Sequence, residues 1–310
     1  MPLFDAYLFI DWSAANRIKP LKPCADSVWI GELVPRLRQE ETFHRTRHEG
    51  ISYLTSLLLE HVEKRRRVLV GFDFPYGYPS GFSQALGLSF GLHPWRRVWD
   101  FLADKIQDNA KNVNNRFIAA GELNAIVGGN TAGPFWGCPL GTRIANLQRR
   151  SPGFPFNSTG GVWLQRLRIV EKRLSGTQEA WKLYGAGSAG SQALVGIPYV
   201  YRVRRHPELA WFSRVWPFET GFTADPSPDR GPFVLHSEIW PGVVKVRTKN
   251  LLNADKTLIQ DQAQVRAMCQ WAKEIDDNGQ LGRRFDKPTG LTTEQIQACV
   301  QHEGWVLGAG

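Results

Sequence analysis

The chain has 310 residues, 42% hydrophobic and 22% charged, with a formal net charge of +9 and a pI near 9.5, which describes a globular protein long enough to bury a sizeable core. It holds no apolar run of about 18 residues, and its N-terminus lacks the basic and apolar regions of a signal peptide, so a cytoplasmic protein without a membrane partner is expected. Cys24, Cys138, Cys269 and Cys299 are scattered without a C-x-x-C pair, which argues against a disulfide framework or a zinc cage.

Tyr7 to Asp11 reads as a buried strand that ends in an acid and is followed by the small residues Ser13, Ala14 and Ala15. Residues 27–33 and 41–46 are the next two strands, separated by a turn around Pro35, and complete an antiparallel meander. Ile51, Leu54, Leu57, Leu58 and Val62 recur at helical spacing, and the helix closes on Lys64 to Arg67, where cations suit the negative end of its dipole. Val68 to Phe72 is then a continuous apolar run that delivers Asp73 into a turn forced by Pro75, Gly77 and Pro79. Three strands, a helix and a fourth strand fit a mixed sheet in which the helix crosses over to a parallel partner. Asp11 and Asp73 then lie at one edge of neighbouring strands.

Beyond Pro79 the pattern changes to helices and long Gly/Pro/Asn loops. Residues 80–230 read as a basic, aromatic-rich insertion packed on a core made from 1–79 and 231–310. Trp95, Val98, Trp99, Leu102 and Ile106 mark one amphipathic helix, and Val162, Leu167, Val170 and Leu174 suggest another. From 141 to 214 there are twelve Lys and Arg against Glu171, Glu179 and Glu208, so the excess positive charge is regional. A nucleic-acid partner is possible through this stretch, with Trp163, Trp181, Trp211 and Trp216 either stacking on bases or filling core.

Phe233 to Glu238 repeats the form of strand, acid, then Pro and Gly. A helix from about 256 to 275 follows, and Asp261 falls within its apolar arc, where a carboxylate is costly unless paired or metal-bound. A helix capped by Thr292 or Thr293 closes the chain. Asp11, Asp73, Glu238 and Asp261 together suit hard divalent cations, Mg²⁺ or Mn²⁺, which prefer oxygen ligands and support in-line phosphoryl displacement. Each acid also has a plainer role open to it: turn satisfaction for Asp73 and Glu238, a cap for Asp11, a bond to a loop or arginine for Asp261.

The order of elements and acids resembles the ribonuclease H-like superfold. More closely, Phe9-Ile10-Asp11, Gly71 to Pro79, His236 to Pro241, Asp261-Gln262-Ala263 and Glu303 to Gly308 resemble the motifs of the domain of unknown function 429 family, predicted nucleases with that fold. The resemblance covers both ends of the chain and leaves the insertion aside. It implies a metal-dependent nuclease or phosphodiesterase site at the four acids. Gln264 and the long basic insertion depart from the commoner members.

Two other readings remain open. Tyr184 to Gln192 is a Gly/Ser-rich loop in which Gly185, Gly187, Ser188 and Ser191 are candidates for phosphate contact, although it matches neither a Walker loop nor a dinucleotide fingerprint. That loop suits a nucleotide-dependent phosphotransferase or ATPase of the same superfold. A non-catalytic nucleic-acid-binding module is the third reading. His44 and His48 form a metal pair only if both lie on a helix, and His44 falls in an expected strand. The oligomeric state is not legible.

Overall fold

The computed structural model describes residues 1–88, 93–227 and 231–309, so the segment ends expected at 230 and 310 lie outside the described residues. The first three strands are β1 (Ala6–Asp11), β2 (Val28–Val34) and β3 (Arg38–His44), and they form the expected meander. Helix α1 (Arg47–Glu63), whose N-cap Thr46 accepts from the Glu49 amide, crosses over to β4 (Arg67–Phe72), which runs parallel to β1. The insertion follows with α2 (Phe82–Ala85), α3 (Pro94–Lys105) and α4 (Arg116–Gly128). It continues through a small hairpin, β5 (Phe156–Asn157) with β6 (Trp163–Leu164), and then α5 (Ile169–Arg173) and α6 (Ala189–Arg204).

Two strands, β7 (Ser213–Val215) and β8 (Phe233–Glu238), complete a mixed six-stranded sheet in the order β3-β2-β1-β4-β8-β7, with β1, β4, β8 and β7 parallel. Residues 213–215 were expected in the insertion and belong to the main sheet. Helices α7 (Lys245–Ala254), α8 (Gln260–Asp277), α9 (Gly282–Phe285) and α10 (Thr293–Ala298) close the chain. The single late helix expected over 256–275 is thus preceded by a separate one, and the helix expected over 162–174 is a short strand followed by one turn and a half of helix. Among the described residues, no helix is long and apolar enough to cross a membrane.

Strand alternation assigns the two faces of the sheet. Leu8, Ile10, Val68, Val70 and Phe72 pack with α1, α3, α4 and α6, so the insertion shares one core with the sheet. Tyr7, Phe9, Leu69 and Leu235 face the opposite way, onto α8 and the C-terminal segment. Helix α8 approaches closely because Gly31 of β2 has no side chain: a Cβ there would meet Val265 at 3.0 Å. That approach sets Asp261, one turn before Val265, at the edge of the sheet where β1 and β4 end.

Candidate active site

Register brings the first two acids together. Ile10 pairs with Phe72 in parallel strands, so Asp11 and Asp73 are the next residues at one sheet edge. The Trp12 amide donates to Asp73 Oδ1 at 2.8 Å, which ties the exit of β1 to the exit of β4. Asp261 is 9% exposed and its Oδ2 accepts from the Asp26 amide at 2.7 Å, joining α8 to the loop before β2. This is the loop bond the sequence left open for Asp261. Asp11 differs: among the described residues its carboxylate makes no hydrogen bond or ion pair, so it caps no turn.

The charges of neighbouring aspartates add to burial at Asp11 and Asp73. Burial, reinforced by Asp73, Asp261 and Asp26, holds Asp11 well above the usual carboxylate range. Burial pushes Asp73 up to about 7, the Trp12 amide opposing it and Asp261 adding to it. Burial also raises Asp261, against the Asp26 amide bond.

Glu238 stands apart. It pairs in register with Phe72, whose ring packs on the insertion face, and so projects away from the face of Asp11. There it meets Arg168, buried at 1% exposure: Nη2 donates to Oε1 at 2.6 Å and Nη1 to Oε2 at 2.7 Å. The Tyr76 amide also donates to Oε2. Arg168 spends its other contacts on Glu171 Oε1 at 2.7 Å and the Glu303 carbonyl at 2.8 Å, while Glu303 Oε2 accepts from the Ile169 amide. Four charged side chains thus lock the insertion to both ends of the chain, with the excess negative charge partly satisfied by main-chain amides. Of the four expected site acids, Glu238 is thus the one paired with an arginine, although it shares a cavity wall with Asp73. Local spacing gave no signal for Arg168, which lies 70 residues from Glu238 in the chain.

Asp11, Asp73 and Asp261 offer oxygen donors of the kind that hard divalent cations take, and the Asp11 carboxylate has no partner among the described residues. A second ion at Glu238 does not fit, because both of its oxygens are engaged by Arg168. Among the described residues no three His, Cys, Asp or Glu side chains form a ready-made metal cage, so the aspartates would have to draw closer around an ion. His44 lies in β3 with Nε2 against Thr42 Oγ1, not on a helix face with His48.

Beside the aspartates is a cavity of about 250 Å³, lined by Asp73, Arg168, Gln178, Gly187, Gln192, Glu238, Trp240 and Gln264 among others. Larger hollows, of about 530 and 680 Å³, flank α8 on its outer side and contain none of the candidate acids. The Gly/Ser-rich stretch divides. Gly187 and the first residue of α6, Ala189, line the cavity; Ser188 is the N-cap without a side-chain bond. Ser191 Oγ is committed to the Leu183 carbonyl and to Arg116, and Gly185 is exposed.

The basic stretch divides too. Arg166 pairs with Glu179 and Arg204 with Glu219, so with Arg168 part of the excess charge is internal. Trp181 and Trp216 are core, whereas Trp163 and Trp211 are 59% and 85% exposed.

No family model matches the chain, and no curated protein or solved structure is significantly similar to it.

Proposed function

We propose that the protein is a divalent-metal-dependent phosphodiesterase acting on nucleic acid, with Asp11, Asp73 and Asp261 holding the cation. The observation that carries this reading is the Asp11 carboxylate, unpartnered at the end of β1 and pressed by burial, by Asp73 after the parallel strand β4 and by Asp261 on α8. Such a group is relieved by a proton or by a cation, and oxygen-only donors favour Mg²⁺ or Mn²⁺. The strand order β3-β2-β1-β4-β8, antiparallel then parallel, supports a ribonuclease H-like fold as the finer description. The motif resemblance to the domain of unknown function 429 family points the same way.

When bound, the cation would supply Lewis-acid stabilisation of charge on a phosphoryl group. The chain's own residues do the rest of the positioning. The Trp12 amide fixes one oxygen of Asp73, and the Asp26 amide fixes one oxygen of Asp261. Arg168 holds Glu238, and through Glu238 the Tyr76 amide, so that the turn after Asp73 keeps its shape.

Calorimetric titration with Mn²⁺ tests the reading. Wild-type protein should bind the ion and cleave a labelled oligonucleotide in its presence. Asp11→Asn should remain folded and lose both properties, with binding weaker by at least about 100-fold, as expected for removing a charged donor from a partly buried site. Folded wild-type protein that takes up neither Mn²⁺ nor Mg²⁺ would refute it.

A further inference from the structure

We propose that the cavity beside Asp73 receives a single nucleotide unit, with its base against the Trp240 indole and the amides of Gln178 and Gln264, and its phosphate towards Asp73. This rests on the phosphodiester reading above and adds the form in which substrate is presented. At about 250 Å³ the space lies below the small end of ligand pockets, which limits it to one nucleotide unit at most and excludes a stacked base pair. A nucleotide therefore enters only when it is terminal, unpaired or free.

The lining supplies what a base requires. Trp240 is half-buried, and its ring is seated against glycine: a Cβ on Gly242 would come within 2.2 Å of it, and one on Gly176 within 3.4 Å. A Cβ on Gly187 would lie 2.2 Å from Gln178 Oε1, so that glycine leaves room for the amide at the wall. Gln178 makes one long bond, Nε2 to the Gly176 carbonyl at 3.4 Å, and keeps its oxygen uncommitted. Gln264 follows Asp261 by one turn of α8 and makes no hydrogen bond among the described residues. An amide presents both a donor and an acceptor, as the edge of a base does, and an indole face accepts any base by stacking. A sugar phosphate alone would leave the indole and both amides unused. Gln264, one of the departures from the resembling family, thus acquires a role at the same edge as the acids.

The test uses the full chain in Mg²⁺ buffer, with binding followed by calorimetry and by indole fluorescence. Adenosine and uridine monophosphates should bind at least about 10-fold more tightly than ribose 5-phosphate or inorganic phosphate, the size of effect that one stacked base contributes. Trp240→Ala should remove about 10-fold of nucleotide affinity without altering ribose 5-phosphate binding, Trp240→Phe should restore most of it, and Gln264→Leu should weaken nucleotide binding alone. Equal binding of nucleotide and ribose 5-phosphate, or wild-type nucleotide affinity in both Trp240→Ala and Gln264→Leu, would overturn the proposal. Oligonucleotides separate the two sources of the unit: a single-stranded overhang competing with the monophosphate, where a blunt duplex does not, assigns a strand terminus, and competition by neither assigns a free nucleotide. Because Mn²⁺ uptake is measured independently, ion binding with equal affinity for nucleotide and ribose 5-phosphate overturns this proposal alone, whereas absence of ion uptake overturns the reading on which it rests.

Discussion

Replacing Arg168 by methionine should destabilise the protein by about 3 to 5 kcal/mol, the cost of breaking a buried ion pair from one side. The structure sets this magnitude. Arg168 and Glu238 are both nearly inaccessible, their fork is bidentate, and Glu171 is fully buried on the same guanidinium. Removing the cation strands two carboxylates in a low-dielectric site, and Glu171, already raised by burial, loses the guanidinium that opposes the rise. A raised carboxylate contributes stability below its unfolded pKa and loses it as pH rises through the folded pKa, so the Arg168→Met variant should lose more at pH 8 than at pH 5. Replacing the whole group, Arg168→Met with Glu171→Gln and Glu238→Gln, should recover at least half of the loss, since no charge is then left unpaired. Urea unfolding at the two pH values measures all of this. A loss below about 1 kcal/mol for Arg168→Met, or a triple variant no more stable than the single one, would refute the assignment of Glu238 to Arg168.

Other perturbations test separate parts of the structure. His236 is enclosed in β8 with neither ring nitrogen bonded, and burial, helped by the nearby Arg204, holds it neutral, its pKa lowered to about 3. A depressed histidine costs stability as pH falls below the unfolded pKa of about 6.5, so lowering pH from 7.5 to 5 should remove about 2 kcal/mol through this residue, and His236→Leu should abolish that increment in paired urea titrations. Asp276 accepts from the Leu3 and Phe4 amides and from the Tyr7 hydroxyl, tying the N-terminus to α8, and Asp276→Ala should lower stability by about 3 kcal/mol in the same assay. At Gly77 a Cβ would lie 2.2 Å from the His302 carbonyl oxygen, so Gly77→Ala should cost about 1 to 3 kcal/mol and raise hydrogen exchange in residues 299–304.

Strands β1, β2, β4 and β8 were legible because each is a largely apolar run closed by turn residues, and the order of the first four strands followed from three strands, one helix and a fourth strand. Asp261 was legible as inward because a carboxylate interrupts the arc of Val265, Met268, Cys269 and Ala272, all of them buried. What failed did so for identifiable reasons. Four apolar residues between 162 and 174 looked helical, but Arg168 starts a helix there only after the Trp163–Leu164 strand, with its amide bonded to Glu171 Oε2. Strand β7 is three residues long, too short for alternation to register. The face of Glu238 required the parallel register with β4, since a shift of one residue reverses a side chain, and no property of residues 232–242 alone contains that register.

The separation of Glu238 from the aspartates also gives the site its electrostatic logic. Four carboxylates at one sheet edge, all bare, would repel beyond what burial tolerates, and cations bound from solution would be needed to hold even the resting fold together. Arg168 removes that requirement for Glu238 and anchors the insertion in the same contact. The remaining repulsion is confined to Asp11, Asp73 and Asp261, where amide donors fix one oxygen on each of the last two and leave Asp11 wholly free. On the proposed reading an ion arriving there would relieve that repulsion, while Glu238 holds the turn after Asp73 through the Tyr76 amide and is itself held by Arg168. Placing a single arginine on the opposite side of β4 thus neutralises Glu238 inside the fold and leaves the uncompensated charge on the aspartates alone, which is where the proposed cation would act.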